Sequence, residues 1–105
     1  MDCVVVVTTV GTVDEARLIA RSAVERRLAA CAQIEPIESF YRWEGAVQHD
    51  QEYRVLLKSV AARYGDLEAM IQELHSYELP AIYAYPLQSV LGRYAQWVQD
   101  NSNPG

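Results

Sequence analysis

The sequence predicts an α+β domain with the element order β, α, β, β, α, β and one more helix at the end, and three observations predict it. Val4 to Val7, followed by Thr8 and Thr9, is a continuous β-branched run, the pattern of a strand covered on both faces. Two stretches, around Ile19 and around Met70, carry apolar residues at the helical period. Between them, two strand-like segments meet at Glu44-Gly45, which reads as the bend of a hairpin.

The elements follow in order. Gly11 ends the first strand, and Thr12 with Glu15 has the capping-box spacing, in which hydroxyl and carboxylate satisfy each other's backbone donors. Ala16, Ile19, Ala20, Ala23 and Val24 then form one apolar stripe, with Arg17, Arg21, Ser22 and Glu25 outside it. The segment from about Ala30 to Trp43 is strand-like, and Pro36 marks it as bulged or as an edge, because proline cannot donate to a ladder. "AVQHD" extends the connection after Gly45, and Tyr53, Val55 and Leu57 alternate with Arg54, Leu56 and Lys58 in the next strand. Leu67, Met70, Ile71 and Leu74 restore the helical period, Pro80 closes that helix, and "AIYAYPL" is the last strand. Ser89 is placed to cap a final helix whose inward face is Leu91, Tyr94, Ala95 and Val98.

Two βαβ-like halves on one sheet make the ferredoxin-like plan, and right-handed crossovers put both main helices on one face. The opposite face is then uncovered. Phe40, Tyr41, Trp43, Tyr53, Tyr83, Tyr85 and Trp97 make it aromatic, so an oligomer is the expected cover.

At 105 residues the chain is expected to be a single domain, 1–105, with about 101–105 as a flexible tail. A net charge of -5 argues against nucleic acid as partner, since phosphate affinity is carried by Lys and Arg. The basic residues Arg17, Arg21, Arg26 and Arg27 lie among Asp14, Glu15 and Glu25 at spacings that favour helical ion pairs. The apolar run at the start is far shorter than a membrane span, so no membrane partner is expected. Cys3 and Cys31 form no CxxC pair, which points to a reducing cytoplasm with both cysteines acting as small hydrophobes.

Chemistry-bearing motifs are sparse. "TTVGTVD" holds neither a GxGxxG nor a GxxxxGK pattern, and no spacing sets a histidine beside Cys31 as its base. The carboxylate pairs Glu35/Glu38 and Asp50/Glu52 read first as solubilising edge charges. Lys58 sits late on an apolar strand, where a buried ammonium needs a partner, and Glu78 is the one to propose. His75 stands in the last turn of the second helix, where the helix dipole and Glu78 favour its protonated form. A metal needs three or four converging donors, and two histidines 26 positions apart do not supply them within one chain.

The stretches "RLAACAQI" (27 to 34), "FYRWEGAV" (40 to 47), "LLKS" (56 to 59), "HSYELP" (75 to 80) and "YAQW" (94 to 97) resemble, in order and spacing, the CutA family of divalent-cation tolerance proteins. The resemblance implies a homotrimer, similar in architecture to the PII signalling proteins, whose long hairpin strands pair across subunit boundaries. It implies no settled enzymatic reaction. Some members carry a cysteine late in the first strand and two adjacent histidines at the end of the second helix as proposed copper ligands; here these positions hold Thr8, and Leu74 before His75. Ser76 and Ala81 stand where Pro and Glu are usual. The resulting expectation is a cytoplasmic, non-enzymatic trimer, with no required cofactor, binding a small molecule in intersubunit clefts lined by Trp43, Lys58, His75, Tyr77 and Glu78. The alternative is a copper or divalent-metal buffer that uses His75 and surface carboxylates, with weak Cu(II) affinity.

Overall fold

A computed structural model describes residues 2–104. It contains strand β1 (Cys3–Val10), helix α1 (Val13–Glu25), strands β2 (Cys31–Trp43) and β3 (Ala46–Val60), helix α2 (Tyr64–Leu74), strand β4 (Ile82–Pro86) and helix α3 (Gly92–Asp100). A 3-10 turn at Ala61–Arg63 leads from β3 into α2. The sheet order is β2-β3-β1-β4 with every neighbouring pair antiparallel, which is the ferredoxin-like arrangement.

Strand parity sorts the faces. Val4, Val6 and Val10 of β1 join Val55 and Leu57 of β3 under Ala16, Ile19, Ala20 and Ala23 of α1 and Leu67, Met70 and Ile71 of α2. The burial stripe of α1 stops at Ala23, and Val24, expected within it, is exposed. On the other face Val5 and Val7 are also buried, which is why the run is continuous rather than alternating. That face is not wholly open as expected. Helix α3 packs Val98, Tyr94 and Ala95 with Cys3, Ala30 and Val60 and so covers one end of it.

Strands β2 and β3 keep unbroken register from Cys31 opposite Lys58 to Trp43 opposite Ala46. Glu44 and Gly45 both have positive φ, 51° and 81°, as a two-residue hairpin turn of the primed type requires. "AVQHD" therefore belongs to β3 and is no connection, because pairing begins directly at the turn. Pro36 lies in register opposite Tyr53 on the outermost strand, so it marks an edge and not a bulge. Since β1 pairs only with Tyr53 to Val60, residues 46–52 and 37–43 project as a two-stranded ribbon roughly 20 Å long.

The ends of the helices depart from expectation in instructive ways. Thr12 accepts from the Glu15 backbone N–H at 3.2 Å, but the Glu15 carboxylate does not return the bond. It crosses to Ser76 instead, accepting from its N–H at 2.7 Å and from its hydroxyl at 2.9 Å. Helix α2 ends at Leu74, six residues before Pro80, and 75–81 form a loop. Ser89 caps nothing: α3 starts at Gly92 with Leu91 in the N-cap place and no side-chain bond. Residues 101–103, expected within a flexible tail, are tied to the domain. Arg27, at φ 60°, donates to the carbonyls of Asn103 and Asp100, each at 3.0 Å, and Ser102 is buried. Gly105 lies outside the described residues.

Candidate functional site: a groove beside the hairpin ribbon

The register across β2 and β3 places Ile37 opposite Glu52 and Ser39 opposite Asp50, so Tyr41, Trp43, Asp50, Glu52 and Arg54 share the ribbon face that continues past β1. The loop after α2 returns alongside this face. Between ribbon and loop runs a groove of about 1110 Å³ whose lining includes Thr9, Tyr41, Trp43, Glu52, Tyr77 and Glu78.

Two tyrosines are fixed in it by carboxylates. Tyr77 donates its hydroxyl to Glu52 Oε2 at 2.8 Å, and Tyr41 donates to Asp50 Oδ2 at 2.6 Å. Burial, and then the Glu52 carboxylate, push the Tyr77 phenol well above the usual range. The bond to Asp50 chiefly raises Tyr41. Both phenols therefore stay neutral donors. Glu52 was expected as an edge charge, yet it is only 6% exposed. The ribbon covers it on one side and Tyr77 on the other.

Of the residues expected to converge, the groove brings together Trp43, Tyr77 and Glu78. Lys58 lies at the far end of β3, opposite Cys31 and Val5, and its ammonium donates to Gln33 Oε1 at 2.7 Å. The proposed Lys58–Glu78 pair does not form, because the loop approaches β3 at Glu52 and not at Lys58. His75 occupies the C-cap of α2 with extended backbone, and its side chain is 0% exposed within the single chain. It faces no cleft.

The His75 ring is held on both nitrogens. Nε2 lies 2.8 Å from the Thr9 carbonyl, to which it must donate, so Nδ1 is left to accept the Tyr77 N–H at 3.1 Å. Its carboxylate neighbour is Glu15, 3.7 Å from Nδ1, and not Glu78. His49 is on the other ribbon face, stacked on Phe40 at 4.1 Å and 2.9 Å from Glu38. Thr8 is buried on the helix-covered face, its hydroxyl without a partner. Among the described residues no three His, Cys, Asp or Glu side chains are grouped to hold a metal.

Tyr41, Glu52 and Arg54 were missed as groove residues. A signal for them exists in the chain: pairing counted outward from Glu44-Gly45 puts Glu52 opposite Ile37.

A single sheet with this order and a long projecting ribbon define a ferredoxin-like protein, and comparison with known proteins narrows the class. The family model of the CutA1 divalent ion tolerance protein matches residues 4–101. The divalent-cation tolerance protein CutA of Thermus thermophilus is 39% identical over 99 residues, covering 93% of this chain and 96% of that one. The crystal structure of CutA from Xylella fastidiosa superposes with a TM-score of 0.94 at 30% identity, over 98% of this chain and 100% of that one. The periplasmic divalent cation tolerance protein CutA from Archaeoglobus fulgidus gives a TM-score of 0.93 at 29% identity, over 96% and 99% of the two chains. The chain belongs to the CutA divalent-cation tolerance family.

Proposed function

We propose that this CutA-family chain acts as a homotrimeric, cytoplasmic binding protein that takes a small ligand in clefts between subunits, in the manner of PII proteins. One observation carries the reading: beyond Glu52, which Tyr77 covers, the ribbon exposes apolar and aromatic side chains on both faces. Phe40 is 65% and Val47 64% exposed, and Tyr41 and Trp43 are also exposed. An isolated two-stranded ribbon is marginal in water, so apolar side chains on it favour a neighbouring copy as cover. The groove at its root would then be walled by two subunits. Two unpaired cysteines, Cys3 and Cys31, accord with a reducing compartment, and among the described residues no helix is long and apolar enough to cross a membrane.

The reading is of binding and not of catalysis, since His75, the natural acid or base, has both nitrogens committed to backbone groups. The family name supports the alternative, a divalent-metal buffer, but coordination by His75 would have to displace either Thr9 or Tyr77. Native mass spectrometry joined to a Cu(II) titration tests both. A trimer that retains a small molecule, with Cu(II) removed by a competing chelator, supports the cleft. A folded monomer at low micromolar concentration overturns it, and stoichiometric Cu(II) lost in His75→Ala installs the metal buffer.

A further inference from the structure

Helix α3 is held to the domain by its docking and not by its own chemistry. It spans nine residues, Gly92–Asp100, and starts without a side-chain N-cap. Arg93 stands in its first turn and Asp100 at its end, each on the wrong side of the helix dipole. A helix of this length does not persist alone in water. Its internal links, from Gln96 to Asp100 Oδ1 at 2.8 Å and from Asn101 to the Trp97 carbonyl at 2.9 Å, fall in its second half. The surface it docks on is also set apart: Val98, wholly buried, packs with Tyr94 and Ala95 on Cys3, Ala30 and Val60, a cluster separate from the core under α1 and α2. The Cys3 thiol lies 3.9 Å from the Ala95 carbonyl. Docking buries the Ser102 hydroxyl without a partner, which weighs against it. In the other direction acts Arg27, whose guanidinium reaches from the connection between α1 and β2 to the carbonyls of Asp100 and Asn103, at 3.0 Å each. A cation suits that end, where helix carbonyls lack intrahelical partners.

From these features we infer that α3 is a detachable cover on the sheet: it opens as one unit, with Arg27 as its clasp and Val98 as its anchor, while the strands beneath stay paired. The ladder does not depend on it, since β1 keeps β3 and β4 as neighbours whether α3 is docked or not. Each opening lays bare Cys3 and Ala30. Cys3 shares its face of β1 with Val5 and Val7, whose partners on β4 are the exposed Tyr85 and Tyr83. Release of α3 therefore extends the aromatic face of the sheet into one longer apolar surface, which the closed helix holds in reserve. Units that open for function are drawn from the weakly held parts of a fold, and α3 has the features of one. The inference does not depend on the number of subunits.

The test uses the buried Cys3 thiol as reporter. In the full chain with Cys31→Ser, Cys3 is the one thiol left, and its labelling by a soluble aromatic disulfide is followed in native buffer beside amide exchange read by NMR. Cys3 labelling and the α3 amides should report the same opening constant, larger than that of the Val5 to Val7 amides. Arg27→Ala removes two charge-assisted bonds and should speed both about tenfold or more, with the β1 amides unchanged. Val98→Ala leaves the clasp in place and should speed both about tenfold through the apolar surface it removes, which preserves the test where Arg27→Ala fails to fold. Labelling of Cys3 that tracks the β1 amides, and so reports fraying of the strand, overturns the inference. So does labelling that neither variant changes, or exchange of α3 that requires global unfolding.

Discussion

Tyr77 reaches from the loop after α2 to Glu52 on β3 and donates to it at 2.8 Å, which ties the wall of the groove to its floor. Tyr77→Phe removes the donor while the carboxylate remains buried. The expected cost is about 1–3 kcal/mol of stability, read by urea denaturation. The pH dependence follows from the raised phenol. The unfolded tyrosine ionises near its ordinary value of about 10 and the folded one only above it, so stability is full below that pH and falls as pH rises past it. In Tyr77→Phe the alkaline decline should be shallower.

Gly45 sits at φ 81° in the hairpin bend, where a β-branched residue is strained. Gly45→Val should destabilise by about 1–2 kcal/mol and loosen the ribbon. Gly65 lies in the first turn of α2 with open space at its Cβ position, so Gly65→Ala should stabilise by about 0.5–1 kcal/mol. Thermal melts of the two variants should move in opposite directions.

Thr8 places an unpartnered hydroxyl in the core. Replacing it with the isosteric valine removes a buried polar group and no bond, so Thr8→Val should raise stability by about 1 kcal/mol. A higher urea midpoint with unchanged slope is the expected result.

Arg27 fastens the C-terminus by donating to the carbonyls of Asp100 and Asn103. In Arg27→Ala the left-handed backbone persists and the clamp is lost. Amide exchange should quicken at the end of α3 and in 101–104, while β1 and β3 keep their protection.

The His75 side chain is enclosed, so His75→Ala leaves the Thr9 carbonyl and the Tyr77 N–H without their partner and a void behind them. A loss of about 2–4 kcal/mol is expected by denaturation, with Tyr77 fluorescence and exchange showing a loosened loop.

The sequence by itself determined the elements. Local periodicity is enough to mark β1, both main helices and the hairpin bend, because each pattern spans a few residues and reflects one face meeting one core. Trp43, Tyr77 and Glu78, expected in a cleft between subunits, all line the groove of the single chain. Local pattern failed where a side chain had a choice of distant partners. Glu15 had the spacing to close its own helix cap, and Lys58 and His75 each had Glu78 as a nearby candidate. In the folded chain Glu15 binds Ser76, 61 residues away, Lys58 turns to Gln33 on the adjacent strand, and His75 bridges Thr9 and Tyr77. The burial of Glu52 has the same origin. A carboxylate that alternation assigns to an exposed ribbon becomes buried once the loop lays Tyr77 over it. Such contacts depend on how the loop after α2 crosses the end of β1, a geometry set by the packing of α1 and α2 on the sheet and written in no local pattern.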